Sequence, residues 1–260
     1  MNCSRGTALL FTALLLAVLF VAPSPALAQG HGSAPHWSYS GTEGPEHWGD
    51  LDPSFAVCKT GKRQSPVNID HPKKAELQPI QFDYRPSPLK IINNGHTIQI
   101  NYTPGSTLTI GGKQYQVVQF HFHKPSEEAI SGKHFGMVLH IVHRSSEGNL
   151  AVVGVLLEGG EDNRFIEKLW SNLPKEEGKE MEVAGVTVNI ADALPADHSF
   201  YHFTGSLTTP PCTEGVEFYI MKTAVQLSAG QMAAFAKYFP LNARPIQPLN
   251  GREVQEADFK

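Results

Sequence analysis

The residues best suited to chemistry lie in one alternating segment, Gln119-Phe120-His121-Phe122-His123. Successive side chains of a strand point to opposite faces, so Gln119, His121 and His123 would share one face and the phenylalanines the other. Two neutral imidazoles on a rigid strand are a good start for a zinc site, because zinc takes imidazole nitrogen and needs a third ligand from elsewhere. In a chain with 12 histidines, a bare His-x-His pair also fits a polar strand face near the surface.

A third zinc ligand is available in a later alternating segment, residues 137–143. Strand parity places His140 on one face of this segment and His143 on the other. The pattern does not choose between these two histidines, and His134 is a further candidate. A hydrogen-bonded core residue is the ordinary alternative role for a single histidine in such a strand.

The elements that must position these histidines are short alternating runs separated by Gly, Pro and Asn, a pattern typical of a β protein. Gly111-Gly112 suits a two-residue hairpin, since glycine reaches the positive φ that such turns need. The run 150–157 lacks alternation, which predicts a strand covered on both faces. Helical patterning is confined to 162–173 and 228–238. The predicted strands are 97–102, 107–110, 115–123, 137–143, 150–157 and 216–221.

The N-terminal residues 1–28 have the pattern of a cleaved signal peptide, with Arg5, an apolar run and the small-residue site Ala26-Leu27-Ala28. The apolar run is short for a membrane span, which needs about 20 residues. We therefore expect export to the periplasm or the extracellular medium, with no membrane span left after cleavage. The mature chain, residues 29–260, shows no repeat or long linker and is predicted to form one catalytic domain.

Cleavage would remove Cys3 and leave Cys58 and Cys212 as the remaining cysteines. In an oxidising compartment such a pair most simply forms a disulfide, worth about 4 to 5 kcal/mol in the chain-entropy model because it closes a long loop. Two separate buried thiols are the alternative.

Charge and composition limit the partners. The net charge is −4, and Lys and Arg are scattered rather than clustered. A nucleic-acid binder needs a basic patch, so no nucleic-acid partner is expected. The sequence does not fix the oligomeric state, and a homodimer is compatible with it.

The histidine segments stand in a characteristic order with other motifs. These motifs are residues 36–39, 44–48, 63–69, 93–96, 119–123, 126–127, 139–143, 206–211 and 242–249. In order and approximate spacing they resemble the alpha-class carbonic anhydrases, over essentially the whole mature chain. The resemblance implies a mainly β, single-domain fold with a large, twisted, mostly antiparallel central sheet and small peripheral helices.

The resemblance also implies a zinc enzyme that interconverts carbon dioxide and bicarbonate. It implies that His121, His123 and His140 bind Zn²⁺, and that His143 and His134 have structural roles. Three neutral ligands leave the ion doubly charged with an open fourth position, so bound water would lose a proton near neutral pH and the hydroxide would attack carbon dioxide. Carbon dioxide, bicarbonate and water are the implied substrates.

Further roles follow from matching positions. Thr208 matches a threonine that accepts a hydrogen bond from the hydroxide and donates its own proton to a carboxylate, here Glu127. His96 matches the histidine that carries the proton to solvent, a task that suits the pKa of imidazole. The other implied residues are Thr209 at the bicarbonate product, Val142, Val152, Leu207 and Val216 along the carbon dioxide pocket, Asn94, Gln99 and Gln119 on a polar wall, and Cys58 and Cys212 as the disulfide.

Strand parity places a condition on two of these residues. His96 and Gln99 are three residues apart, so a regular strand would turn them to opposite faces. Both would face the cavity only with a β-bulge between them.

Three positions depart from the pattern of the family. A glutamate usually stands two residues before the third ligand, and a histidine usually follows the glutamate that pairs with the threonine; here these positions are Val138 and Glu128. Loss of a carboxylate that supports a ligand typically weakens metal binding or activity about 10 to 100-fold, a range known in part from carbonic anhydrases. We hypothesise that Glu128 instead accepts the free ring N–H of His140. Phe218 replaces a common tryptophan and is expected to alter packing only.

Two rival functions use the same fold. A metal-free binding protein is favoured by the missing carboxylate at Val138, but the presence of all three ligands, Thr208 and Glu127 opposes it. A zinc esterase or other hydrolase would use the same hydroxide on a larger substrate, and we expect ester cleavage to be a minor activity.

Overall fold

The computed structural model describes residues 1–2 and 35–259. The expected signal peptide, residues 1–28, lies outside the described residues except for its first two. From Pro35 onward the chain forms one compact unit. In the described residues, no helix is both long and apolar enough to cross a bilayer.

Strands dominate this unit, as the alternating runs predicted. Each predicted strand is present, with ends that differ from the prediction by at most two residues. The strands are β1 (Asn68–Ile69), β2 (Lys73–Lys74), β3 (Gln81–Asp83), β4 (Ser87–Asn93), β5 (Ile98–Asn101), β6 (Thr107–Ile110), β7 (Lys113–His123), β8 (Ala129–Ile130), β9 (Lys133–His134), β10 (Met137–Arg144), β11 (Leu150–Gly159), β12 (Met181–Val188), β13 (Phe200–Ser206), β14 (Glu214–Met221), β15 (Val225–Leu227) and β16 (Gln255–Ala257).

Most strands belong to one 13-stranded sheet, in the order β12-β4-β5-β7-β10-β11-β14-β13-β16-β2, with β3, β6 and β15 paired beside this path. The sheet is mixed: β7, β10 and β11 are antiparallel neighbours, whereas β11 is parallel to β14 and to β15. A separate three-stranded sheet has the order β1-β8-β9. The predicted mainly β fold with a large central sheet is confirmed.

Three long strands were missing from the prediction, for different reasons. Strand β4 contains Pro88, which interrupts the alternating signal. Strand β12 lies at the edge of the sheet and buries only Val188, so it carries little apolar periodicity. In β13, the polar residues His202 and Thr204 weaken the same signal.

The predicted hairpin at Gly111-Gly112 is confirmed. Ile110 pairs with Lys113 across the turn. The φ values are 55° at Gly111 and 76° at Gly112, which only glycine adopts without strain.

Two apolar clusters cover the two faces of the central strands. Phe120 and Phe122 point into the larger cluster, together with Phe165 and Phe235 from the two longer helices; burial of each such ring stabilises by about 1.5 to 3 kcal/mol. The helices are α1 (Trp48–Leu51), α2 (Val57–Thr60), α3 (Arg164–Trp170) and α4 (Ala229–Ala236). The last two are shorter than predicted. Helix α4 begins with a capping box formed by Ser228 and Gln231.

The smaller apolar cluster lies on the other face. Its buried members are Val67, Ile69, Val138, Val152, Leu156, Phe203, Val216, Phe218, Ile220 and Val254. Because β11 contributes to both clusters, residues 151–157 are all buried, as the unbroken apolar run predicted.

The segment before β1 is irregular and packed by aromatic rings. Trp37, Tyr39 and Trp48 contact one another edge to face, with centroids 5.1 to 5.8 Å apart. Beside them, Cys58 and Cys212 form a disulfide across 154 residues of sequence. The predicted disulfide is confirmed, and the alternative of two free thiols is wrong.

Candidate metal centre

Three histidine rings converge on the face of the sheet that carries the smaller apolar cluster. His121 and His123 lie on β7, and His140 lies on the neighbouring strand β10, directly opposite His121. One ring nitrogen from each residue lies within 4.8 Å of those of the other two. The predicted convergence of these three histidines is confirmed.

The second nitrogen of each ring is hydrogen-bonded, which determines the nitrogen left for a metal. Each acceptor is an oxygen, so each ring donates its N–H there and keeps a lone pair on the other nitrogen. The contacts are His121 Nδ1 to Gln119 Oε1 at 2.8 Å, His123 Nδ1 to the Asn242 carbonyl at 2.7 Å and His140 Nε2 to Glu128 Oε2 at 3.2 Å. The free nitrogens are therefore Nε2 of His121, Nε2 of His123 and Nδ1 of His140.

The electrostatics of the first two rings fit a metal. Burial, with the neighbouring His140, lowers the pKa of His121 to about 3. Burial also lowers the pKa of His123 well below its ordinary value, so both rings are neutral at neutral pH. His123 Nε2 is buried without a hydrogen-bond partner, which is costly unless another group binds there. Converging neutral imidazole nitrogens are a donor set that suits zinc.

Two buried carboxylates flank the histidines. Glu127 Oε2 lies 3.4 Å from His123 Nε2 and 3.8 Å from His140 Nδ1. Burial raises the pKa of Glu127 to about 7, while the charge of His140 opposes this rise and that of Glu128 adds to it. Burial acts to lower the pKa of His140, but the charge and hydrogen bond of Glu128 raise it above its ordinary value. Buried negative charge needs compensation, which a divalent cation supplies.

The structure places Thr208 beside Glu127. Thr208 is buried in the bend that follows β13. Glu127 Oε1 accepts a hydrogen bond of 2.9 Å from the main-chain N–H of Arg244, and the Thr208 hydroxyl lies close enough to the carboxylate to favour its ionised form. Thr209 follows in the same bend, and its carbonyl accepts from the N–H of Cys212 over 2.9 Å.

The residues predicted to line the carbon dioxide pocket lie together. Val152 and Val216 are buried in the smaller apolar cluster, and Val142 and Leu207 pack against it. Because Val142 shares a strand face with His140, this apolar wall reaches the histidines.

The residues predicted for the polar wall lie on neighbouring segments of the sheet. Gln99 lies opposite His121 in the pairing of β5 with β7. Its Oε1 accepts from Asn94 Nδ2 over 3.2 Å. Gln119 lies opposite Asn101 in the same pairing and holds the first ligand through its amide oxygen.

His96 lies before β5, the strand that contains Gln99, and not within it. Strand β5 begins at Ile98, and His96 belongs to the bend after Gly95, whose φ is 85°. The pairings of β5 with β4 and β7 are regular, with no β-bulge. The parity condition assumed that His96 belongs to the strand; because His96 lies in the bend before it, the alternation does not apply to this residue. The His96 ring stacks on Trp37 with centroids 3.7 Å apart. Burial lowers the pKa of His96.

The other two candidate histidines do not join the site. His143 lies in the core, where Nε2 is 2.7 Å from the Tyr84 hydroxyl and Nδ1 is 3.3 Å from the Ala151 carbonyl. His134 lies on β9, and its Nδ1 is 2.7 Å from the Ser126 carbonyl. Both therefore have structural partners, as the resemblance implied.

Sequence reasoning missed two residues that support the site. Asn242 holds His123 through its main-chain carbonyl. The side-chain amide of Asn242 donates to the carbonyls of His96 and Phe122 over 3.0 and 2.9 Å. The main-chain N–H of Arg244 holds Glu127. Any residue type can make a main-chain contact, so the residue types did not reveal these two supports. The motif at 242–249 was the one signal in the sequence that this segment belongs to the site.

Comparisons with known proteins agree with this site. Residues 43–258 match the family described as eukaryotic-type carbonic anhydrase. A carbonic anhydrase of Nostoc sp. is 42% identical over 229 residues, which cover 85% of this chain and 86% of that protein. One from Klebsiella pneumoniae is 43% identical over 226 residues, 86% of this chain and 92% of that protein. The structure of the alpha-carbonic anhydrase from Thermovibrio ammonificans with the inhibitor sulfanilamide aligns with a TM-score of 0.83 at 40% identity, covering 86% of this chain and all of that chain.

The large mixed sheet and the three-histidine site, together with these relatives, identify a zinc enzyme of the lyase class. The chain belongs to the alpha-class, eukaryotic-type carbonic anhydrases. Its activity is carbonic anhydrase activity, with carbon dioxide and bicarbonate as substrates. The disulfide and the bacterial relatives are consistent with export.

Proposed function

We propose that this carbonic anhydrase is exported and that it hydrates carbon dioxide reversibly with Thr208, Glu127 and His96 as its working side chains around the zinc ligands. The observation that carries the proposal is the convergence of three buried ring nitrogens within 4.8 Å, each set free by a hydrogen bond at the other ring nitrogen.

The three histidines would hold zinc as neutral donors and leave one coordination position to solvent. Zinc bound there supplies Lewis acidity, which lowers the pKa of a coordinated water far below that of bulk water. The low pKa of His121 and His123 favours this binding, because no proton has to be displaced from either ring at neutral pH.

Thr208 and Glu127 would orient the attacking oxygen. Glu127 Oε1 accepts a hydrogen bond from the Arg244 N–H, whereas Oε2 is buried without a hydrogen-bond partner. The Thr208 hydroxyl, which acts to lower the pKa of this carboxyl group, would donate its hydrogen to the carboxylate, so that the Thr208 oxygen could only accept from the attacking group. This commitment aims a lone pair of the attacking oxygen at the substrate carbon.

Apolar side chains would receive the substrate, since carbon dioxide is small and carries no charge. Val142, Val152, Leu207 and Val216 supply a wall without hydrogen-bonding groups next to His140. Thr209 supports the bicarbonate product, and the amides of Asn94, Gln99 and Gln119 form the polar side of the pocket.

His96 would carry the released proton to buffer. It lies in a bend and is half-buried, so its ring can exchange protons both with solvent and with the interior of the site. Its ordinary pKa lies close to neutrality, and burial lowers it. A ring that is mostly neutral at the working pH is ready to accept the proton.

Residues 1–28 would direct export and be cleaved, which would deliver the chain 29–260 to the periplasm or the extracellular medium. The Cys58–Cys212 disulfide supports this location, because such bonds persist in oxidising compartments. Mass spectrometry of the protein recovered from periplasmic and medium fractions tests the cleavage; a chain that retains residue 1 in every fraction would contradict it.

Carbon dioxide hydration, followed before and after removal of zinc with a chelator, tests the catalytic proposal. Hydration should vanish on chelation and return when one equivalent of zinc is restored. Ester cleavage by the same samples should be slow by comparison. Unchanged hydration without metal, or none with metal fully bound, would refute the proposal.

A further inference from the structure

The third ligand differs from the other two in what holds it. His121 is held by an amide oxygen and His123 by a main-chain carbonyl. His140 is held by the carboxylate of Glu128, with Nε2 3.2 Å from Oε2. His140 is 2% exposed and Glu128 0%. A hydrogen bond to a buried carboxylate is stronger than one to a neutral oxygen, because the acceptor is charged.

Glu128 reaches His140 from a different part of the fold. It precedes β8 of the three-stranded sheet, whereas His140 lies in the 13-stranded sheet. The Ser126 hydroxyl donates to the Glu128 carbonyl over 2.7 Å and accepts from the N–H of Phe135 over 2.8 Å. These bonds fix the main chain of Glu128, so its carboxylate is presented from a rigid support.

Glu127 Oε2 lies 3.8 Å from the other ring nitrogen, Nδ1, and in the described part of the chain Glu128 is the one polar partner of Nε2. Val138, two residues earlier on the same strand face, is fully buried in the smaller apolar cluster. Gly154 lies opposite His140 on β11 and has no side chain. From β14, Phe218 packs edge-on against the ring with centroids 6.1 Å apart. The ring N–H at Nε2 therefore depends on Glu128.

We infer that Glu128 is a positioning residue for the zinc site: it holds the His140 ring so that Nδ1 faces the metal, and so replaces the carboxylate that Val138 cannot supply. The inference rests on zinc binding by the three histidines. With its Nε2–H committed to the carboxylate, the ring keeps its lone pair on Nδ1 and cannot turn over. Phe218 then has a second role besides packing, since its ring contacts the His140 ring and limits its movement.

Zinc affinity of the purified protein, measured by competition with a chromophoric chelator, tests this inference. Glu128→Ala should weaken zinc binding about 10 to 100-fold. Glu128→Gln keeps an acceptor oxygen but not the charge, and should lie between Glu128→Ala and the parent. The visible spectrum of the cobalt-substituted protein should change in both variants, because the orientation of one ligand ring changes.

A matched control is available in a second Glu–His pair. Glu217 Oε2 lies 2.8 Å from His202 Nε2, and neither residue belongs to the metal centre. Glu217→Ala should leave zinc affinity and the cobalt spectrum at the parent values.

Moving the carboxylate from position 128 to position 138 gives a second, independent test. In Glu128→Ala/Val138→Glu, the carboxylate would come from the same strand face as His140, and zinc affinity should recover toward that of the parent. If Glu128→Ala does not fold, a folded Glu128→Gln that binds zinc as tightly as the parent, with an unchanged cobalt spectrum, overturns the inference. Zinc affinity and the cobalt spectrum are measured without carbon dioxide. A failure of the hydration assay would therefore refute the proposed function without deciding the role of Glu128.

Discussion

His121 and His140 face each other directly across the antiparallel pairing of β7 with β10, and their rings meet almost at a right angle with centroids 5.6 Å apart. This register places two ligands on adjacent strands, and the period of two along β7 adds His123 on the same face. A slip of one residue would turn His140 into the opposite core. The metal centre is therefore a consequence of strand register.

Replacement of Thr208 should separate orientation from metal binding. Thr208→Val keeps the shape but removes the hydroxyl, so kcat/KM for carbon dioxide hydration should fall about 100-fold while zinc content stays at one per chain. Thr208→Ser keeps the hydroxyl and should retain most of the activity. Parent-like kinetics in Thr208→Val would exclude the orienting role.

Removal of the His96 ring should affect proton export alone. In weak buffer, His96→Ala should lower kcat about 100-fold, whereas kcat/KM, which reports the attack on carbon dioxide, should change little. Added imidazole should restore kcat because a free base replaces the side chain. A defect that no concentration of imidazole relieves would contradict the shuttle role.

Acid should destabilise the fold partly through His143. Burial lowers the pKa of His143 from 6.5 to about 4, so between these pH values the unfolded chain binds a proton that the folded chain does not. The free energy of unfolding therefore falls as pH falls through this window, by at most about 1.4 kcal/mol per pH unit, and this contribution stays constant outside it.

Urea denaturation of the metal-free protein at several pH values measures this slope. His143→Gln should show a shallower fall of unfolding free energy between pH 6.5 and 4 than the parent. His71→Gln, at a side chain that is 95% exposed, serves as control and should keep the parent slope. Identical slopes in the parent and His143→Gln would show that the buried ring does not contribute.

Removal of the disulfide should cost stability. Cys58→Ser/Cys212→Ser frees a loop of 154 residues in the unfolded state, and the free energy of unfolding should fall by about 2 to 5 kcal/mol. Comparison of parent and variant by urea denaturation without reductant gives the difference. Reductant should lower the free energy of unfolding of the parent toward that of the variant and leave the variant unchanged. A variant as stable as the oxidised parent would show that the disulfide does not stabilise the fold.

Local patterns predicted much of this molecule, and contacts between distant segments account for what they missed. The alternation in residues 119–123 predicted β7 and the shared face of His121 and His123, because period two is a local property. The choice of His140 over His143 depends on the register between β7 and β10, which the residues alone left open and the resemblance supplied. The support of His123 by the Asn242 carbonyl spans 119 residues and involves no side chain of Asn242, so residue type gave no signal.

The most direct test of the metal centre is a crystal structure of the zinc-loaded protein with diffraction data collected on both sides of the zinc absorption edge. We expect a single anomalous peak about 2.0 to 2.1 Å from Nε2 of His121, Nε2 of His123 and Nδ1 of His140, with solvent at the fourth position. A peak at another place, or a His140 ring turned so that Nδ1 points away from the other two ligands, would contradict the account.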